Sequence, residues 1–533
     1  GALTFFVSEV ARFIIDANVR ISLSNNDSGG TGGSDSTSGN TLFGYLTGAN
    51  IASGGINNTL FGHGASYNLT TGDNNISIGA NAGWGNHTGG GNTYLGRDAG
   101  LGVQNNANSN NVGLGFRSLR GITTGTENVA VGKDAMLDNT GGASNTAIGT
   151  EALANNTSGG ENVAVGKIAL YTNTTTGANT AVGYTALRYN TAGNNTAVGH
   201  ASLHQNTSGT ENVALGVSSA YSNTTGVYNT AVGYQALVSN VDGDSNTAIG
   251  RKALYTFEAG SDGQGENTAV GALAAYSLTT GYGNTAVGKQ ALVNSTTGLN
   301  NTAIGKVAMG SGITTGNNNV SIGYFSGYDL TSGESNVLIG KDSGANITSG
   351  DYNVMIGAVC GDSIVDSNSH VLIGTGAGGN GDIANDGVTA VGHVAAHSIT
   401  SAQRITAVGY QALNLEDAGS YQTAVGYQAL AQVNNDNGHN TALGQRAGYT
   451  LTSGHSCTFL GSGADSSDAG GQNRIGIGQG VTVGANNIAV IGNNSVTALY
   501  AAQDAGATIY AAGLVEGSSM TLKENIGEIE SPL

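Results

Sequence analysis

Two pairs of histidines have a spacing that is common in metal sites. His200 and His204 are four residues apart, as are His393 and His397, and on a helix this spacing directs both imidazoles to one ion. The surrounding sequence predicts strands and turns instead, where the same spacing does not bring the two rings together. We therefore predict no metal site and no cofactor.

Aspartates in glycine-rich segments could bind calcium through their carboxylate oxygens. Asp242, Asp244 and Asp262 are the clearest examples. No complete set of oxygen ligands recurs along the chain, so we interpret these residues as solvated turn residues. A calcium site is the alternative.

A pair of carboxylates could cleave glycosidic bonds, one as a general acid and the other as a base or nucleophile. Acidic residues are sparse, with 35 among 533 positions, and no insertion is long enough to build a groove around such a pair. We predict that the chain is not an enzyme, and polysaccharide depolymerase is the least favoured function. Glycine phrases such as Gly113-Leu114-Gly115 lack the Lys-Ser/Thr that follows a phosphate-binding loop.

The composition disfavours two classes of partner. The formal net charge is −18, with 17 Lys and Arg against 35 Asp and Glu, so no basic surface is available to release counterions from nucleic acid. The apolar stretch 3–15 is short and contains Glu9 and Arg12, which disfavours a membrane span. We predict that the chain neither binds nucleic acid nor inserts into a membrane.

Any functional residue must be positioned by a repeat that runs through almost the whole chain. The phrase Asn-Thr-Ala-Ile-Gly at 145–149 returns as Asn-Val-Ala-Val-Gly at 162–166 and as Asn-Thr-Ala-Val-Gly at 179–183. Twenty-seven glycines close these phrases between Gly44 and Gly492, and the 26 intervals average about 17.2 residues. A unit this short cannot bury a hydrophobic face alone, so we predict an all-β solenoid of stacked turns.

Each unit is numbered here from its closing glycine, which is position 0. Strand alternation predicts that the residues at −3 and −1 point inward and that the alanine at −2 packs against another chain. The apolar pair at +3 and +4, such as Ala152-Leu153, predicts a second short strand. We expect a positive φ or a close backbone approach at position 0, and a stacked amide ladder formed by the asparagines at −4.

Other residues have simpler roles in the stack. Trp84 and the tyrosines at position +5 could stack on sugar rings, but packing between turns is the simpler interpretation. Cys360 and Cys457 are 97 residues apart, about 25 to 30 Å along the stack, and so are expected to be buried free thiols. The tyrosines at +5 are Tyr171, Tyr221, Tyr255 and Tyr276.

The period also divides the chain. Residues 1–39 precede it as a lead-in and Gly/Ser linker, residues 40–492 form the repeat shaft, and residues 493–533 follow. One interval, from Gly250 to Gly271, has 21 residues. Its extra residues predict a loop at 257–266.

The repeats resemble a known family. Runs such as Asn-Thr-Ala-Val-Gly-Tyr-Gln-Ala-Leu at 229–237 are similar to the head repeats of trimeric autotransporter adhesins, which also occur in bacteriophage tail fibres and tailspikes. The resemblance covers about 44–492. It implies a left-handed parallel β-roll, with three chains associating through the Asn-x-Ala-x-Gly strand near the trimer axis.

The C-terminal segment resembles a second family. Gly-Ser-Ser-Met-Thr-Leu-Lys-Glu-Asn-Ile at 517–526 is similar to the start of the intramolecular chaperone domain of endosialidase-type phage tailspikes, usually Ser-Asp-x-x-Leu-Lys-x-Asn-Ile. The resemblance implies that residues 493–518 end the shaft and that residues 519–533 begin a truncated, cleavable chaperone domain. Ser518 would then be the nucleophile of self-cleavage and Lys523 its assisting amine, with Ser519 in place of the usual Asp.

Together, these resemblances imply a homotrimeric tail-fibre shaft of a virion. Such a shaft would present or contribute to recognition of a host cell-surface glycan or protein receptor, and would contact other tail proteins at its N-terminal end. A bacterial trimeric surface adhesin is the alternative function. Ice binding through rows of threonine is also open to solenoids, but the predicted inward direction of the threonines at −3 disfavours it.

Overall fold

The computed structural model describes residues 39–497 and 499, apart from residues 53, 262, 380, 382, 384–385 and 435–437, together with three strands near the N-terminus. These strands, Leu3–Val7, Val10–Ile15 and Ile21–Ser22, form an antiparallel sheet. Most of the linker and of the segment 493–518, and all of 519–533, lie outside the described residues.

A parallel ladder of 27 three-residue strands forms the body of the described chain. Each strand pairs in register with the strand one turn away, as Ala147 does with Ala164. This confirms the all-β solenoid and its 17-residue period. At about 4.8 Å per strand, the ladder is roughly 125 Å long.

The ladder strands are Thr41–Phe43, Thr59–Phe61, Ile76–Ile78, Thr93–Leu95, Val112–Leu114, Val129–Val131, Thr146–Ile148, Val163–Val165, Thr180–Val182, Thr196–Val198, Val213–Leu215, Thr230–Val232, Thr247–Ile249, Thr268–Val270, Thr285–Val287, Thr302–Ile304, Val320–Ile322, Val337–Ile339, Val354–Ile356, Val371–Ile373, Thr389–Val391, Thr406–Val408, Thr423–Val425, Thr441–Leu443, Thr458–Leu460, Ile475–Ile477 and Ala489–Ile491. Two further short strands, Asp465–Ser466 and Thr482–Val483, pair with each other in parallel.

The strand side chains point in the opposite direction from the prediction. The alanines at −2, such as Ala147 and Ala164, are fully buried within one chain, whereas Ile148 at −1 is 41% exposed. The interior already contains the leucine at +4, for example Leu153, and the asparagine at −4, for example Asn145. In turns with leucine at +4, close packing therefore leaves room for little more than a methyl group at −2, and the β-branched residues face outward.

The prediction of a second strand at +3 and +4 is also wrong. Positions +2 and +4 adopt left-handed backbone conformations, with φ of 58° at Glu151 and 52° at Leu153. In a strand, consecutive side chains point to opposite faces, but here both Ala152 and Leu153 are buried. The turns still pair with one another through the main chain, because the Leu153 N–H donates to the Ala169 carbonyl oxygen at 2.9 Å.

The glycine at position 0 has both predicted properties. At Gly149, φ is +137°, and a Cβ atom there would lie 2.6 Å from the carbonyl oxygen of Gly166. Neither the backbone angle nor the space allows another residue type without strain.

The asparagine ladder at −4 is confirmed. The main-chain N–H of Asn145 donates to Asn128 Oδ1 at 3.0 Å, and its Nδ2 donates to the same oxygen at 3.0 Å and to the Gly159 carbonyl oxygen at 2.9 Å. Each buried amide is thus satisfied by the turns before and after it.

Two further ladders were not predicted. At +7, Asn156 Nδ2 donates to Asn139 Oδ1 at 2.8 Å. At +8, Thr157 Oγ1 donates to the Thr174 carbonyl oxygen at 3.0 Å. The asparagines at +7 also bond within their own turn, since Asn156 Nδ2 donates to the Gly159 carbonyl oxygen at 2.9 Å.

Both cysteines are buried free thiols, as expected. Burial raises the pKa of the Cys360 thiol to about 12. In the long interval, no strand lies between Thr247–Ile249 and Thr268–Val270 among the described residues, and Phe257 at its start is buried in the core.

Candidate interaction surface

The candidate functional surface is the outward face of the strand ladder, which we call the Thr/Val face. It consists of the residues at −3 and −1 of the 27 strands. Its apolar members remain partly exposed, with 41% at Val213, 47% at Leu215 and 39% at Ile249. Because the ladder is in register, each side chain is repeated about every 4.8 Å.

The threonine hydroxyls of the Thr/Val face have no hydrogen-bond partner among the described residues. In the part of the chain that the structure describes, Oγ1 of Thr146, Thr180 and Thr196 makes no hydrogen bond. By contrast, the threonines at +8 bond the next turn, as Thr157 does. The Thr/Val face therefore offers free hydroxyl groups beside apolar side chains.

Aromatic and basic side chains at +1 border the Thr/Val face. Tyr184 stacks on His200 with ring centroids 5.3 Å apart. His393 stacks on Tyr410, which stacks on Tyr427, at 5.5 and 5.2 Å. The stacked faces cover one another, so the row presents mainly ring edges to solvent.

The two histidine pairs are not brought together as metal ligands. His200 and His393 lie at +1, whereas His204 and His397 lie at +5 and contact other groups. His204 stacks on Tyr221 at 5.0 Å, and His397 Nδ1 lies 2.9 Å from the Gly376 carbonyl oxygen. No group of three or more His, Cys, Asp or Glu side chains that could hold a metal ion occurs among the described residues.

The aspartates interpreted as solvated turn residues, with calcium binding as the alternative, have different surroundings. Asp244 Oδ1 accepts the Val227 N–H at 2.8 Å, so it caps the preceding turn. Asp242 Oδ1 is buried and has no hydrogen-bond partner. Asp262 lies outside the described residues.

The rings at +5 pack between turns. Tyr255 and Tyr276 are stacked with centroids 5.0 Å apart and planes 8° apart, and Tyr67 and Trp84 are stacked at 6.1 Å. A sugar would need the ring faces that these contacts use, so the arrangement supports the packing interpretation.

One buried histidine interrupts the asparagine ladder. His370 occupies position −4, and its main-chain N–H donates to Asn353 Oδ1 at 3.0 Å. Its Nδ1 accepts the Val388 N–H at 3.2 Å, and its Nε2 lies 2.9 Å from Ser367 Oγ. These contacts fit a neutral ring, and burial lowers the pKa of His370 to about 4.

The residues of the predicted cleavage junction, Ser518, Ser519 and Lys523, lie outside the described residues. None of the described residues forms a helix capable of crossing a lipid bilayer. Comparison with protein-family models and with curated protein sequences gives no match.

Proposed function

We propose that this chain is the shaft of a homotrimeric fibre that attaches a phage particle to its host cell. In this assembly, three left-handed solenoids lie side by side, and each contributes its Thr/Val face to the threefold interface. The observation that carries the proposal is the uninterrupted outward apolar row of the ladder.

The Thr/Val face has the character of a surface that is covered in the assembled protein. Parallel sheets normally have both faces covered, and contiguous apolar surface of this extent marks an interaction site. A second and third copy of the chain would match it along its whole length, because their repeats have the same period. The free threonine hydroxyls would then find partners across the interface.

Changing the Thr/Val face tests this assembly. The double variant Val182→Asp/Val198→Asp places charges at two −1 positions whose side chains are not in the core. We expect the trimer to dissociate while the strand content measured by circular dichroism is retained. The control is Thr174→Asp, which adds a charge at an exposed position away from that face.

Light scattering and resistance to SDS give the oligomeric state. A trimer for the wild type and for the control, and a monomer for the double variant, support the proposal. A wild-type monomer contradicts it.

The C-terminal resemblance adds a maturation step to the proposal. Slow assembly of a long parallel rod would be guided by a chaperone domain that begins at residue 519 and is removed after Ser518. Intact mass measurement of the expressed protein tests this step, with a chain ending at Ser518 as the expected product. A chain that still carries residues 519–533 in the mature trimer contradicts it.

The outward threonines favour ice binding as a second candidate function. The threonines at −3 point outward with regular spacing, not inward as the alternation was expected to place them. Ice binding needs the Thr/Val face open to water, whereas the trimer covers it. Thermal hysteresis by a monomeric protein would support ice binding, and its absence would contradict it.

A further inference from the structure

A shallow groove of about 560 Å³ runs along four turns of the solenoid. We call it the 143–193 groove. Its floor consists of the residues at position −6, Ala143, Gly160, Gly177 and Gly193. Glu161 stands on its rim and is exposed.

The main-chain N–H groups of the floor have no hydrogen-bond partner among the described residues. In the described chain, those of Ala143, Gly160 and Gly177 make no hydrogen bond. Each of these N–H groups faces the position that a side chain at −6 of the next turn would occupy. A Cβ atom at Gly160 would lie 3.9 Å from the Ala143 nitrogen, and one at Gly193 would lie 4.0 Å from the Gly177 nitrogen.

In other turns, a side-chain oxygen atom at −6 occupies this position and accepts the N–H of the preceding turn. At the same position −6, Asp244 Oδ1 accepts the Val227 N–H at 2.8 Å, and Asp351 Oδ1 accepts the Glu334 N–H at 2.7 Å.

An amide oxygen also fits, because Asn317 Oδ1 accepts the Leu299 N–H at 2.8 Å. In the 143–193 groove the corresponding side chains are missing. Three successive donors, one turn apart, are therefore left for the oxygen atoms of a ligand.

The charge around the groove selects the class of ligand. The net charge of −18 and the Glu161 carboxylate on the rim disfavour an anion. A sugar hydroxyl can accept from a main-chain N–H and donate to a carboxylate at the same time. The glycines also let a ring approach the backbone closely.

We propose that the 143–193 groove binds a neutral oligosaccharide. Its successive hydroxyl or ring oxygens accept from the N–H groups of Ala143, Gly160 and Gly177. This inference rests on the proposed function and deepens it, since it names the class of receptor that the fibre recognises.

The test is binding of the full-length protein to immobilised maltohexaose, mannohexaose and N-acetylchitohexaose, with sialylated and uronic-acid glycans as the acidic arm. We expect binding to at least one neutral glycan. Gly160→Asp and Gly193→Asp supply an internal carboxylate where Asp244 and Asp351 have one. Each should weaken binding at least tenfold.

Leu299→Asp is the matched control, because it makes the same change of charge at position −6 outside the groove and should leave binding unchanged. The inference is overturned if no neutral glycan binds, if only acidic glycans bind, or if the control loses as much affinity as the groove variants. Light scattering of the same samples separates the two proposals. A trimer without neutral-glycan binding overturns only this inference, and a monomer that binds in the groove contradicts only the trimeric shaft.

Discussion

Leu338 and Gly344 share one space inside the solenoid. Leu338 is at position −2 and Gly344 is at +4 of the same turn, and a Cβ atom at Gly344 would lie 2.8 Å from Leu338 Cδ2. Met355 and Gly361 repeat the relationship, with 2.7 Å between such a Cβ atom and the Met355 sulfur. In these turns a large residue at −2 is accommodated by a glycine at +4, whereas nine other turns, such as that of Ala147 and Leu153, combine alanine with leucine.

This relationship predicts a compensating pair of substitutions. Gly344→Leu alone overfills the turn and should cost roughly 1–3 kcal/mol, and Leu338→Ala alone leaves a cavity and should cost roughly 2–5 kcal/mol. The double variant recreates the common alanine and leucine combination, and leucines at +4 already adopt positive φ. Thermal unfolding should show the double variant to be more stable than either single variant. Additive losses would mean that the two positions do not share space.

The glycine at position 0 should not tolerate alanine. Gly149→Ala adds a Cβ atom against the Gly166 carbonyl oxygen at a φ of +137°, so we expect a loss of more than about 3 kcal/mol. Gly141→Ala is the control, since its Cβ atom would approach nothing closer than 3.4 Å. Equal thermal midpoints for the two variants would refute the backbone argument.

These two relationships show what the sequence could and could not predict. The period, the strand at −3 to −1 and the ladder at −4 were predicted, because each depends on local pattern alone. Which side chains of the strand point inward was not predicted, because the same alternation is compatible with either face being buried. One turn combines Ala147 at −2 with Leu153 at +4, whereas another combines Leu338 at −2 with Gly344 at +4. This compensation in side-chain size is the sequence signal that would have placed position −2 in the interior.

The candidate surfaces were harder to predict for the same reason. The Thr/Val face follows only once the direction of Ala147 is known. The 143–193 groove depends on the absence, in successive turns, of a capping side chain such as the one that Asp244 supplies to the Val227 N–H. Neither the Thr/Val face nor the 143–193 groove can be recognised from the sequence of a single turn.

A buried amide of the ladder should not tolerate a carboxylate. Asn162 Nδ2 donates to Asn145 Oδ1 at 3.1 Å and to the Thr176 carbonyl oxygen at 3.0 Å. Asn162→Asp replaces this donor with an acceptor facing two acceptors, which should cost at least about 2 kcal/mol at neutral pH. Asn300→Asp, at an exposed position, is the control, and thermal unfolding at pH 7 is the measurement. A variant at 162 as stable as this control would contradict the ladder.

His370 should make stability depend on pH. Burial lowers its pKa from 6.5 to about 4 in the folded chain, so the unfolded chain takes up a proton first as the pH falls. The contribution of neutral His370 to the free energy of unfolding is complete above pH 6.5. About 3 kcal/mol of it is lost as the pH falls from 6.5 to 4.

The readout for His370 is the difference between two proteins, because carboxylates titrate in both. His370→Asn restores the usual ladder residue and should lose less stability on acidification. The unfolding midpoints of the wild type and this variant should diverge as the pH falls from 7 to 4. Parallel curves would show that His370 is accessible to protons in the folded chain.

The most direct test of the proposed assembly is an electron cryomicroscopy map of the full-length protein in cross-section. We expect three solenoids around one axis, with the residues at −3 and −1, such as Thr180 and Val182, at their contacts and the methyl group of Ala181 enclosed within each chain. A single solenoid whose Thr/Val face meets water, or a trimer joined through the alanines, would contradict it.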